Sequence, residues 1–202
     1  MEDKFEHIKN QYSKAVEKYG DSPESLLWPK GRQDIRFNNL ISPLKNIITK
    51  ETLSLCDFGC GLAHLEEYII NKKINLEYKG LDFVPSLIDL ALEKGRNVEL
   101  IGNESLPLEK FDCFVASGVF NIKYYEDINK NQDYVSNKID SFFNCSPIYV
   151  AIDFMRPDVD FIQDGAWHQP YEPLINFLNS YSREIELILR PLPYEYTVRV
   201  YL

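Results

Sequence analysis

The chain has 202 residues, 45 % hydrophobic and 26 % charged, which is the size and balance of one globular α/β domain. A formal net charge of −9 with scattered Lys and Arg argues against nucleic acid as a partner, since a phosphate-binding face needs clustered basic side chains. No apolar run approaches the roughly 20 residues of a membrane span, and the opening MEDKFEHIKNQYSKAVEKYG has no apolar signal core; the expectation is a cytoplasmic protein that handles a small molecule, with no membrane partner.

Phe5, Ile8, Tyr12, Ala15 and Tyr19 recur at helical intervals, with Gly20 as a stop. DSPESLLWPKGR reads as a loop broken by Pro23, Pro29 and Gly31, and QDIRFNNLI reads as a second helix interrupted or restarted at Pro43. Strands are expected at Thr52–Phe58, Leu76–Asp82, Val98–Ile101, Phe111–Ser117 and Ile148–Phe154, with helices at Leu62–Lys72, Ser86–Gly95 and Tyr124–Phe143 between most of them. After a helix near Tyr171–Tyr181, EIELILR and YEYTVRVYL are separated by PLP, too few residues for a parallel crossover, so these two strands must form an antiparallel hairpin. The expected architecture is one α/β domain over 1–202. It has a mostly parallel seven-stranded sheet of Rossmann-like kind, helices on both faces and an antiparallel C-terminal hairpin. Residues 1–50 form a helical extension that caps a site on the core of 51–202.

Cys56, Cys60, Cys113 and Cys145 match no zinc spacing, and three histidines leave few other ligands, so reduced thiols and no metal are expected. The stretch LSLCDFGCGLAHLEEYI carries the chemistry. Gly59 and Gly61 stand between the first strand and a helix, the place where α/β sheets bind nucleotide-like ligands. A dinucleotide fingerprint would need a third glycine where His64 stands, and no G-K-[ST] follows for a phosphate loop. Asp57 precedes the glycines, and a carboxylate there repels pyrophosphate but suits an ammonium group. Asp82 ends the second strand 82 − 57 = 25 residues later, near the spacing of the acidic residue that meets a ribose. An adenosine with an amino-acid tail and no phosphate fits both, and S-adenosylmethionine is such a molecule.

CDFGCGLAHL, YKGLDFVPSLIDLA, VELIGNESLP and FDCFVASGVFNI, in this order and spacing over Thr52–Met155, resemble the successive motifs of class I S-adenosylmethionine-dependent methyltransferases, and the terminal hairpin resembles that family's seven-stranded sheet. YGDSPESLLWPKGRQDIRF, ASGVFNIK and PYEYTVRVYL resemble a small bacterial subgroup of them. The resemblance implies that Asp57 and the backbone of Gly59, Cys60 and Gly61 hold the methionine end. It implies that Asp82 takes the ribose hydroxyls and that Phe83 and Val84 line the adenosine. Asn103, where the family often has Asp, and Glu104 would lie at the adenine amino group. Ser117, Gly118 and Val119 would face the sulfonium and the substrate. Arg36 would reach the cofactor carboxylate, as an arginine does in several relatives. The bland alternatives are a tight turn for the glycines, a helix cap for Asp82, loop polarity at Asn103–Glu104 and surface pairing for Arg36.

For the methyl acceptor, Tyr124 and Tyr125 follow the fourth strand, and the long DFMRPDVDFIQDGAWHQPYEP follows the fifth, at the same rim. It offers Asp153, Arg156 as an anion clamp, Trp167, and His168 as the base, histidine being the side chain that exchanges protons near neutral pH; a solvent-exposed or structurally bonded histidine is the alternative. Tyr19 and Trp28 would cover the site. Methyl transfer by in-line displacement to a small polar metabolite, with a sugar or sugar nucleotide the leading guess, is the expected activity, in a monomer or homodimer. A non-catalytic binding module or partner subunit is the alternative, and a nicotinamide oxidoreductase a weaker one.

Overall fold

The computed structural model describes residues 4–27, 31–48, 51–103 and 109–202. Seven strands form one sheet: β1 (Leu53–Phe58), β2 (Leu76–Asp82), β3 (Val98–Leu100), β4 (Cys113–Ala116), β5 (Tyr149–Met155), β6 (Glu184–Leu189) and β7 (Glu195–Tyr201), in the order β3-β2-β1-β4-β5-β7-β6. The pairs β1–β2, β1–β4, β2–β3 and β4–β5 are parallel; β7 inserts antiparallel between β5 and β6. The strand order reverses between β1 and β4, which opens a crevice at their carboxyl ends, the position where such sheets take ligands.

The central strands are apolar on both faces because both are covered. Cys56, Phe58, Phe114, Val150, Ile152 and Phe154 pack under α6 (Ile128–Asn144) and α7 (Tyr171–Leu178), where Phe114 and Phe142 stack at 5.0 Å. Leu55, Cys113, Val115, Tyr149 and Ala151 point the other way, against α2 (Gln33–Ile41), α4 (His64–Asn71) and α5 (Pro85–Glu93). This is the period-two alternation of a doubly covered strand. All four cysteines are buried free thiols.

Two helices begin later than the hydrophobic spacing predicts. The helix expected from Leu62 starts at His64, because Gly59, Gly61 and Ala63 all take positive φ and cannot belong to it. The one expected from Tyr124 starts at Ile128, where Asp127 caps it by accepting the N–H groups of Asn129 (2.9 Å) and Lys130 (3.2 Å). Within the expected loop 21–32, Pro23–Leu26 makes a short 3-10 turn.

The N-terminal α1 (Lys4–Tyr19) crosses the carboxyl ends of the sheet. Phe5 stacks on Tyr124 at 5.4 Å and meets Phe83 edge-on at 5.9 Å. Behind it, the Asp21 carboxylate accepts both Nη groups of Arg96 at 2.8 Å and bonds His64 Nε2 at 2.8 Å, fastening the segment to α4. α2 is tied to β7 and β5: Arg36 pairs with Glu195 through Nε (2.8 Å) and Nη2, Arg199 donates to the Asn39 carbonyl at 2.8 Å, and Tyr149 to that of Leu40 at 2.7 Å. The short α3 (Leu44–Ile47) follows α2 and leads toward β1. Among the described residues no helix is long and apolar enough to cross a membrane.

Candidate functional site

β1 delivers Asp57 to the crevice, and the chain then turns so tightly that the N–H groups of Gly59 and Cys60 both reach the Leu81 carbonyl of the neighbouring strand, at 2.8 and 3.1 Å. Gly59 has φ +75° and no room for a side chain: a Cβ there would lie 2.7 Å from Val119. A Cβ on Gly61, at φ +57°, would lie 2.6 Å from the Leu26 side chain. The glycines are required by backbone conformation and by the close approach of two walls of the cleft.

Asp82 sits across the loop. Its Oδ2 accepts the Gly61 N–H at 2.8 Å and its Oδ1 the Val84 N–H at 2.9 Å, so it braces the glycine loop and the start of α5 together. Burial pushes its pKa up, although these backbone bonds oppose the shift. Burial likewise pushes the Asp57 carboxyl up to about 7, partly offset by the hydroxyl of Tyr78, which donates to Oδ2 at 2.8 Å, and reinforced by the charge of Asp82. Tyr12 of α1 lines the same cleft, its hydroxyl pushed up to about 12 by burial and the facing Asp82 charge.

These groups line a cleft of about 640 Å³, open solvent at its mouth included. Of the residues singled out by sequence, the structure brings Asp57, Gly59, Cys60, Gly61, Asp82, Phe83 and Val84 to its walls, with Ser117, Gly118, Val119 and Tyr124 opposite. Asn103 lines a smaller recess that shares Asp82, Phe83 and Tyr124 with the cleft. Glu104 and Trp28 fall outside the described residues. No Lys, Arg or His is among the described lining residues of the main cleft, and no group of three or more metal-ligating side chains gathers among the described residues.

The remaining candidates are placed elsewhere. Arg36 does not line the cleft, since Glu195 holds its guanidinium on β7. Asp153 lies beneath the cleft, accepting Thr197 Oγ1 at 2.6 Å and Ser117 Oγ at 3.1 Å, and burial pushes it up to about 7. Arg156 is paired with Asp158 (Nε 3.0 Å, Nη2 2.6 Å) and donates to the Pro193 carbonyl, so it clamps its own loop. Trp167 is a core residue whose indole N–H donates to Gln169 Oε1 at 2.9 Å. His168 bonds the Arg156 carbonyl through Nδ1 at 2.5 Å, which leaves Nε2 buried inside the fold. Tyr125 packs edge-on against Phe5 and Tyr134, and Tyr19 is exposed. Sequence reasoning missed Tyr12, Leu26, Gln33, Phe37 and Ile122 as walls. Tyr12 and Phe37 fall on helical stripes that read as core, and nothing in the spacing marks Gln33.

No family model matches the chain. It is 24 % identical over 162 residues, 74 % of this chain and 93 % of the relative, to Rv1506c of Mycobacterium tuberculosis, whose description suggests a methyltransferase. Among solved structures it resembles an S-adenosylmethionine-dependent methyltransferase from Archaeoglobus fulgidus, with a TM-score of 0.63 at 16 % identity over 93 % of this chain and 97 % of the other. It also resembles the plantazolicin methyltransferase BamL, solved with S-adenosylhomocysteine, with a TM-score of 0.62 at 11 % identity and 96 % coverage of each. At such identities the shared property is the fold.

Proposed function

We infer that this chain is a class I S-adenosylmethionine-dependent methyltransferase and that its acceptor is a small polar molecule. The observation that carries this is the pair Asp57 and Asp82 on either side of a glycine loop, in a cleft whose described lining holds no basic side chain. A pyrophosphate would meet two carboxylates and nothing to balance its charge, which disfavours a dinucleotide. An ammonium suits Asp57, whose Oδ1 accepts no hydrogen bond among the described residues. Asp82 accepts the Gly61 and Val84 N–H groups through separate oxygens, with a further backbone bond from Phe83, and the roughly four lone-pair sites of a carboxylate leave room for a ribose hydroxyl. The recess by Asn103 is where an adenine would extend.

When bound, S-adenosylmethionine supplies an electrophilic methyl group on a sulfonium, and the protein's part is position and the exclusion of water. Asp57 and the loop hold the amino-acid end, Asp82 the sugar, and Tyr12 and Leu26 close the cleft from the N-terminal side. Ser117 to Val119 border the end of β4, where the acceptor must approach. A metabolite of about sugar size fits this reading, because a chain of net charge −9 is poorly suited to a nucleic-acid polymer.

Calorimetric titration of the Asp82→Ala variant with S-adenosylhomocysteine tests the assignment. A loss of at least about tenfold in affinity (about 1.4 kcal/mol) is expected, in a variant shown to be folded by its cooperative melt. Unchanged affinity would overturn the reading.

A further inference from the structure

We propose that the acceptor binds in the groove between α1 and the segment 163–166, and that this groove selects an amine-bearing, unphosphorylated small molecule. The inference rests on the methyltransferase reading above. Tyr12 and Ile122 line both this groove and the cofactor cleft, so the two spaces share a wall beside the carboxyl end of β4. Lys4, His7 and Gln11 form the α1 side; their spacing puts them on one helix face.

The floor is built rigidly. Ile122 and Ala166 form an antiparallel bridge, the Trp167 N–H donates to the Asn121 carbonyl at 2.9 Å, and the Lys123 N–H donates to that of Gly165 at 2.9 Å. Asn121 Oδ1 accepts the Met155 N–H at 2.8 Å, which settles the orientation of the amide. Its Nδ2 group, with two hydrogens to give, has no hydrogen-bond partner among the described residues. This is a fixed donor on the groove wall, suited to a hydroxyl or carbonyl oxygen of a ligand.

The charges set the class. Glu126 is engaged by Lys123 at 2.6 Å, and the charge of Lys4 also favours its ionised form. The Asp164 carboxylate has no partner among the described residues, and no arginine lines the groove. This carboxylate would repel a phosphorylated acceptor and would pair with an ammonium. The amine must shed one proton before it reacts, and the His7 imidazole on the facing wall offers a ring nitrogen that can accept it. The nitrogen then gives its lone pair to the methyl carbon as the carbon–sulfur bond breaks. That electron pair stays on sulfur, leaving a neutral thioether and a methylated ammonium product.

The test uses the full chain and analogues of S-adenosylhomocysteine in which nitrogen replaces sulfur and carries a short alkyl chain ending in an amine, a hydroxyl or a phosphate. By calorimetry the amine-ended probe should bind roughly fivefold tighter than the hydroxyl-ended one, the size of one partly exposed ion pair, and the phosphate-ended probe should be weakest. Asp164→Asn should erase the amine's advantage while leaving S-adenosylhomocysteine itself unaffected. Equal affinities for all chain ends, a preference for phosphate, or an amine preference that survives Asp164→Asn would each overturn the proposal. Failure of S-adenosylhomocysteine to bind at all would instead overturn the methyltransferase reading, and the groove assignment with it.

Discussion

Asp57 is held between two opposing influences. Burial favours its neutral form, the Tyr78 hydroxyl favours the ionised one, and the balance lies at about 7. A cationic amino group binds the ionised form, so S-adenosylhomocysteine affinity should fall as pH drops below about 7 and level off above it. Tyr78→Phe removes the bond that favours ionisation, so the midpoint of this profile should move to higher pH. Calorimetry across pH on the two proteins reads both, and a flat profile would place the ammonium elsewhere. Asp57, Asp82 and the glycines were legible in sequence because residue type and spacing alone constrain them: a turn with positive φ, flanked by carboxylates at strand ends. Tyr12 and Gln33 were not, because a helix facing a ligand has the same periodicity as a helix facing a core.

At the scale of elements, alternation and loop length carried the sheet and its terminal hairpin, since three residues cannot make a crossover. They did not carry the segment after β5. Arg156, Trp167 and His168 have the chemistry of a site, yet a local ion pair, an indole hydrogen bond and a carbonyl turn them inward. Those contacts depend on how the loop folds back on β7 and the loop after β4, which no spacing reveals. Arg36 shows the same effect on α2, where its partner Glu195 is far along the chain. Arg36→Ala leaves a buried carboxylate uncompensated and should cost roughly 3–5 kcal/mol of stability in denaturant unfolding. Under conditions where the variant is folded, its S-adenosylhomocysteine affinity should change little; a loss of tenfold or more (about 1.4 kcal/mol) would mean that Arg36 reaches the cofactor after all.

For the molecule as a whole, the sheet order puts the reversal between β1 and β4 under an N-terminal segment clasped by Asp21, Arg96 and His64. The cleft is thus made jointly by the core and the extension, with a polar groove beside it on the α1 side. The most direct measurement is calorimetric titration of the unaltered chain with S-adenosylhomocysteine and, separately, with NADH near pH 7.5. The account predicts one-to-one binding of S-adenosylhomocysteine with a dissociation constant on the order of micromolar, and no heat from NADH. Absence of S-adenosylhomocysteine binding, or its displacement by NADH, would contradict it.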